Sequence, residues 1–280
     1  MKGMIMRHEN KQWFLVIFGI AVALLCAARP DSALAHEPLF GLGPHTVGQY
    51  SWALESEMER GHAGWFNHLE LIYGLSPDIA LTVVAPYAFS HENRSAGFGD
   101  VVLRGKYRFY RRDYRNGSDA FALHGGVKLP TGDRPKLRGS GTLDYFAGLS
   151  FGRESRRHYA FADVRYQLNG SHNNLNRGNI LNLEAAYGIR PLKLEYHQPD
   201  LVLLGELLGE FTGKNALNNV DDANTGGFVL SFAPGILFSY RNVMIKAGVK
   251  IPIMEKLNGN RVAPDPEVVV GIEFHMPPFK

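Results

Sequence analysis

The strongest constraint on the fold of this chain is an alternation of apolar and polar residues with a period of two. Such a period places successive side chains on opposite faces of an extended strand. Gly, Asn, Asp, Ser or Pro ends each alternating run, as turns require. The runs lie at 49–59, 64–75, 79–89, 99–110, 120–130, 143–152, 158–168, 181–190, 200–211, 228–238, 243–251 and 268–276. The pattern therefore predicts an all-β chain of about twelve strands.

Alternation of this kind is typical both of a water-soluble sandwich and of a membrane barrel. The polar face of these runs carries small residues and charges of both signs, as a lumen would. Aromatic residues also stand near strand ends, where interfacial girdles form. They are Tyr50, Trp52, Trp65, Tyr73, Tyr87, Phe89, Tyr107, Phe109, Phe228 and Phe238. We therefore expect a transmembrane antiparallel up-and-down β-barrel. The barrel has to be closed because an unpaired strand edge in hydrocarbon would leave backbone N–H and C=O groups without hydrogen-bond partners.

The lengths of the connections favour the same interpretation. If the first strand runs outward, connections after even-numbered strands are periplasmic and short, and those after odd-numbered strands are external and longer. The short set is 76–78, 111–119, 153–157, 191–199 and 240–242. The long set is 60–63, 90–97, 131–142, 169–178, 212–227 and 252–266. The brief 60–63 and the nine residues of 191–199 depart from this pattern.

The first 35 residues have the composition of a secretory signal peptide. Lys2, Arg7 and Lys11 form a basic region, residues 14–28 are apolar, and Ala33-Leu34-Ala35 is a small-residue cleavage site. An uncleaved anchor and a lipoprotein modified at Cys26 are the alternatives. The predicted organisation is a signal peptide at 1–35, an N-terminal periplasmic segment at 36–48 and an outer-membrane β-barrel at 49–280.

Composition excludes several classes of protein. The single cysteine excludes an internal disulfide framework and any multi-cysteine zinc site. A formal net charge of +3 over 280 residues does not indicate the cluster of basic residues that nucleic-acid binding needs. We expect no enzyme, since no G-x-S-x-G motif is present and Ser171-His172 falls in an Asn-rich external loop.

Two stretches resemble a known family. Gly97–Phe109 (GFGDVVLRGKYRF) and Gly125–Asp133 (GGVKLPTGD) are similar to a large group of proteobacterial outer-membrane proteins catalogued under the MetA pathway of phenol degradation. The resemblance implies a transporter-like barrel in the outer membrane of a Gram-negative cell, for hydrophobic or aromatic compounds. From the residues themselves, Gly97, Gly99 and Gly132 suit turns with positive φ, and Asp100 and Asp133 suit capping of turn backbone.

Charged residues that share the polar parity of their strands are candidates for the lumen, where they would set solute selectivity. The alternative is a salt-bridge network that fills a narrow barrel without a pore. The candidates are Glu55, Glu57, Glu59, Glu70, Arg104, Lys106, Arg108, Lys128, Glu184, Arg190, Lys246, Lys250 and Glu273.

Signal-peptide cleavage would leave His36 with a free α-amine beside its imidazole. That pair can chelate copper, and His45 could add a third nitrogen. The alternative is an ordinary mobile or plugging N-terminal segment. Copper is the only cofactor that the sequence pattern suggests.

The sequence as a whole predicts a porin-like outer-membrane channel for passive passage of small solutes, hydrophobic or aromatic ones included. A structural or surface-binding barrel without a pore, and a metal-handling barrel that uses His36, are the alternatives. The expected partners are outer-membrane lipid, periplasmic chaperones, the barrel-assembly machinery and a small-molecule solute.

Overall fold

A computed structural model describes residues 37–92, 94–192 and 198–278. Twelve long strands account for most of these residues. They are β1 (Trp52–Gly61), β2 (Gly64–Ser76), β3 (Ile79–Ala88), β4 (Val102–Tyr114), β5 (Gly117–Lys128), β6 (Asp144–Ser155), β7 (His158–Leu168), β8 (Ile180–Ile189), β9 (Asp200–Thr212), β10 (Gly227–Tyr240), β11 (Val243–Leu257) and β12 (Glu267–Met276). None of the described residues belongs to a helix long and apolar enough to cross a membrane.

The twelve strands form one closed barrel. Each strand pairs antiparallel with its neighbour in sequence. The last strand, β12, pairs with β1 from Trp52↔Met276 to Arg60↔Val268, which closes the sheet. The predicted fold class, a twelve-stranded antiparallel up-and-down barrel, is confirmed. Closure leaves no strand edge unpaired, as a hydrocarbon environment demands.

The two ends of the barrel differ in the length of their connections. The connections whose described residues are 77–78, 115–116, 156–157, 190–192 with 198–199, and 241–242 lie at what we call the turn end. Those whose described residues are 62–63, 89–92 with 94–101, 129–143, 169–179, 213–226 and 258–266 lie at the loop end. Short strands also lie at the loop end. Gly97–Phe98 pairs with β3, whereas a separate four-stranded sheet is formed by Ser171–His172, Leu175–Asn176, Ala216–Leu217 and Val220–Asp221. In outer-membrane barrels the short turns face the periplasm.

Several connections are shorter than the sequence suggests. The strand predicted at 243–251 continues to Leu257, so the connection 252–266 is reduced to 258–266. The largest change lies between β4 and β5. Residues 111–119 were expected to link two strands, but β4 continues to Tyr114 and β5 begins at Gly117. A register shift between Arg108 and Tyr110 inserts one extra residue into β4. This bulge returns Arg111 and Asp113 to the lumen side. The alternation in the sequence therefore breaks at this point although the strand continues.

The barrel exterior is apolar and the aromatic side chains lie toward its ends. Large exposed aliphatic side chains lie along the strands; they include Leu81, Leu103, Leu123, Leu149, Leu207 and Ile236. Exposed tyrosines lie near the loop end (Tyr145, Tyr166) and near the turn end (Tyr110, Tyr187, Tyr240). An apolar band between aromatic girdles is the surface that lipid requires.

A charge placed in this band is expected to destabilise the barrel. Leu207, which is 46% exposed, lies at the middle of β9, and Leu207→Arg should cost about 2–4 kcal/mol in a bilayer. Val262→Arg, at an 82% exposed position in a loop-end connection, is the control and should change stability by less than about 0.5 kcal/mol. Urea unfolding of protein inserted in lipid vesicles measures both values. Equal effects of the two substitutions would contradict a lipid-facing exterior.

The two family-like stretches meet at the loop end. Asp100 accepts hydrogen bonds from the backbone N–H of Gly132 at 2.9 Å and of Ser140 at 2.7 Å. Hydrogen bonds from Lys136 and Arg138 hold the pKa of the Asp133 carboxyl below its usual value. Asp100 therefore caps loop backbone, as predicted, whereas Asp133 binds the side chains of Lys136 and Arg138 and makes no side-chain cap of the short helical turn that follows it.

The glycines of these stretches are needed for a different reason than expected. Gly97 has a φ of 152°, but Gly99 and Gly132 do not have positive φ, so that prediction was wrong for these two. A Cβ on Gly99 would lie 2.9 Å from the carbonyl oxygen of Arg138, and one on Gly132 would lie 2.6 Å from the same atom. Close approach of two backbone segments, which a single sequence does not reveal, excludes larger residues there.

Candidate functional site

The N-terminal residues occupy the barrel lumen. The sequence predicted a periplasmic segment at 36–48; its described part enters the barrel at the turn end and runs inward. Thr46 Oγ1 donates a hydrogen bond to the carbonyl oxygen of Pro77 at 2.8 Å. His45 Nε2 lies 3.0 Å from Glu154 Oε1. We call residues 37–47 the plug segment.

Two charged wall residues hold the inner part of the plug segment. Glu37 forms an ion pair with Lys106 on β4. On β9, Glu206 accepts hydrogen bonds from the backbone N–H groups of Leu39 at 2.5 Å and Phe40 at 3.1 Å. Glu206 is only 1% exposed. Because a buried carboxylate without partners costs several kcal/mol, the two N–H groups of the plug segment stabilise Glu206 in the wall.

Leu39 fills a hollow in the wall that two glycines create. A Cβ on Gly235 of β10 would collide with Leu39 Cδ1, and one on Gly248 of β11 would lie 2.9 Å from it. Leu39 is 4% exposed and packs in a buried cluster. The other buried members are Tyr159, Phe161, Ala186, Val202, Leu204, Leu237 and Met244. This cluster is a patch of apolar side chains on the otherwise polar inner face of the barrel.

The sequence contains a signal of this apolar patch. In the run 200–211 the adjacent pair Leu203-Leu204 interrupts the alternation, because Leu203 faces outward while Leu204 faces the plug segment. An apolar residue at a lumen position implies that something covers it. Which segment covers it is not apparent from the sequence.

Next to this patch, on β11, β12 and β1, one lysine neutralises several carboxylates. Glu55 on β1 lies directly beside Glu273 on β12 and Glu70 on β2. Lys246 of β11 reaches Glu55 and also Glu57, at 2.6 Å. Its side chain crosses Gly271 of β12, where a Cβ would lie 2.7 Å from Lys246 Cε. The absent side chain at Gly271 therefore opens the path by which Lys246 reaches β1.

The remaining predicted charges also form ion pairs. Arg104 contacts Glu70 at 2.7 Å, Arg190 contacts Asp200 at 2.6 Å and Arg165 contacts Glu184 at 3.2 Å. The other pairs are Arg108–Asp78, Lys250–Glu267, Glu59–His68 and Glu273–His275. The inner wall thus carries both signs of charge in contact with one another.

A cavity of about 2100 Å³ runs beside the plug segment and is lined by residues of all twelve strands. Its lining reaches the turn end at Pro77, Asn116 and Arg156, and the loop end at Arg261 and Glu267. Every predicted lumen residue lines this cavity except Lys128. Lys128 ends β5 near the loop end, where its Nζ lies 2.5 Å from Asp144 Oδ2.

The structure bears on only part of the metal hypothesis. His36 lies outside the described residues, so copper binding there stays a prediction. His45 packs edge-on against Phe161 with ring centroids 5.8 Å apart, besides its contact with Glu154. Among the described residues, no group of three or more His, Cys, Asp or Glu could hold a metal ion.

Sequence reasoning missed the residues that hold the plug segment in place. Glu37 and Glu206 were not singled out. Glu37 precedes the alternating runs. Glu206 lies in the run 200–211, where adjacent leucines interrupt the alternation. The buried pair of His124 and Asp163, 2.6 Å apart, was also missed. From the sequence alone, these three carboxylates look the same as carboxylates that face water.

A family model described as “Putative MetA-pathway of phenol degradation” matches residues 35–251. The chain belongs to this family. The match covers most of the barrel, including both loop-end motifs and the plug segment. The resemblance seen in the sequence is therefore confirmed, and the molecule is an outer-membrane β-barrel.

Solved structures share the fold of this family member at low sequence identity. An outer-membrane channel from Pseudomonas putida F1 is 10% identical, with a TM-score of 0.61, over 88% of this chain and 100% of that one. The NanC porin is 9% identical, with a TM-score of 0.53, over 80% of this chain and 98% of that one. No curated protein sequence matches this chain.

Proposed function

We propose that this family member is a passive channel for small solutes, with a plug segment that restricts the lumen. The observation that carries the proposal is the cavity of about 2100 Å³ whose lining reaches both ends of the barrel. A barrel that served only as a scaffold would need no such space, since its inner side chains could fill the interior. The fold that it shares with a channel and a porin supports the same function.

The proposed mechanism is diffusion along a gradient past paired wall charges. Lys246, Arg104 and Arg165 each contact a carboxylate across the wall, so the path offers alternating donors and acceptors to a polar solute. The apolar patch around Leu39 offers a surface to an apolar one. We propose that small solutes with both kinds of group, aromatic ones included, cross this lumen without chemical change.

Planar-bilayer recordings test the channel function. Purified full-length protein in a KCl gradient is expected to give discrete conductance steps, small in size because the plug segment narrows the path. The reversal potential should show weak ion selectivity, since both signs of charge line the lumen. Flux of phenylacetate into liposomes extends the test to an organic solute. Absence of ion conductance and of phenylacetate flux, from protein shown to be inserted and folded, would favour the structural barrel instead.

A further inference from the structure

Three features of the wall are complementary to three neighbouring groups of the plug segment. Lys106 pairs with the Glu37 carboxylate, Glu206 accepts the Leu39 N–H, and the hollow at Gly235 and Gly248 takes the Leu39 side chain. Glu37 and Leu39 are two residues apart, a span of at most about 7 Å of extended chain. The plug segment therefore makes all three contacts through one short stretch of chain, residues 37–39.

Each feature needs a partner when the plug segment leaves. With the plug segment in place, Lys106 is 8% exposed and Glu206 is 1% exposed, so departure of the segment opens both charges to the lumen and removes the partners that they have now. In the part of the chain that the structure describes, Glu206 forms no ion pair with a basic side chain. The hollow would expose apolar wall to water. A molecule that supplies a carboxylate, a hydrogen-bond donor and an apolar body would restore all three contacts.

We infer that the plug segment occupies a solute-binding site, and that the solute is a small carboxylate with an apolar body and a hydrogen-bond donor. A hydroxyphenyl carboxylic acid is the simplest molecule with these groups. Its carboxylate contacts Lys106, its ring fills the hollow at Gly235 and Gly248, and its hydroxyl donates to Glu206. Binding of this solute and of Leu39 is mutually exclusive. The inference rests on the proposed function for its role in transport, but the binding itself does not require permeation.

Calorimetric titration of the full-length protein in detergent tests the site with 4-hydroxyphenylacetate as the probe. Leu39→Ala weakens the competing segment and leaves the wall unchanged, so the probe should bind about tenfold more tightly than to the wild type. Gly248→Ala also weakens the segment but fills the hollow, so the probe should bind more weakly. The two variants thus loosen the same segment and shift the affinity in opposite directions. A shift in the same direction would overturn the inference.

Matched probes test the two polar contacts. Wild-type protein should prefer 4-hydroxyphenylacetate to 4-hydroxyphenylacetamide, and Lys106→Gln should abolish this preference. Wild-type protein should likewise prefer 4-hydroxyphenylacetate to phenylacetate, and Glu206→Gln should reduce that preference. Equal binding of acid and amide to wild type and to Leu39→Ala would exclude the site. Ion conductance of the same preparations separates the two proposals, because a channel can conduct without this site and the site can bind without conduction.

Discussion

The double variant Glu37→Gln/Leu39→Ala is expected to conduct ions at least several-fold better than the wild type. Both substitutions act on the plug segment and leave the barrel wall intact. Truncation of a buried Leu to Ala usually costs about 2–5 kcal/mol, and about 1.4 kcal/mol corresponds to a tenfold change in an equilibrium constant. The loss of the Lys106 ion pair adds to this effect. The fraction of barrels with an unobstructed lumen should therefore rise steeply.

Mean conductance and open probability in planar bilayers measure this effect. Leu137→Ala is the matched control, since Leu137 is an exposed leucine in a loop-end connection, outside the lumen. The control should conduct as the wild type does. If the double variant and the control conduct equally, the plug segment does not limit passage.

Removal of Lys246 is expected to destabilise the barrel by about 3–5 kcal/mol, because loss of one partner leaves buried charges uncompensated. Glu55 and Glu57 each lose their contact with its ammonium group, while Glu273 and Glu70 remain beside Glu55. Lys246→Met keeps an unbranched apolar stem and removes the ammonium group. Like charges on adjacent strands then repel one another in a poorly solvated lumen.

Two further variants make this test specific. Adding Glu55→Gln to Lys246→Met should restore part of the lost stability, because it removes the carboxylate at the centre of the cluster. Arg153→Ala breaks the exposed pair with Asp119, in which Arg153 is 60% exposed, and should cost less than about 1 kcal/mol. Urea unfolding in lipid vesicles, followed by tryptophan fluorescence, gives all three values. A loss for Lys246→Met no larger than that for Arg153→Ala would contradict the buried network.

The barrel could be predicted from the sequence because lipid and lumen impose opposite preferences on alternate residues. Every long strand falls on an alternating run, and the short and long connections segregate to the two ends as expected. The end of β4 was misplaced because the extra residue near Phe109 shifts the phase of alternation. A phase shift and a strand end look alike in one sequence.

The plug segment could not be placed from the sequence. Residues 37–47 are rich in Gly and Pro and have no periodicity, so nothing local specifies their partners. Their position depends on tertiary features: a buried carboxylate at Glu206, a lysine at Lys106 and a hollow formed by Gly235 and Gly248. Candidate lumen charges, in contrast, followed directly from strand parity.

A reversible disulfide between the plug segment and the wall is the most direct test of the gated lumen. A Cβ on Gly235 would lie 3.4 Å from Cγ of Leu39. In Leu39→Cys, the sulfur takes about the place of this Cγ. In a Cys26→Ser background, Leu39→Cys/Gly235→Cys can therefore form a bond of about 2.0 Å between the two sulfurs. Conductance is recorded in one bilayer before and after dithiothreitol, with single Leu39→Cys as the control and mass spectrometry to establish the disulfide. The account predicts low conductance when oxidised and a several-fold rise on reduction; an established disulfide whose reduction leaves conductance unchanged would contradict it.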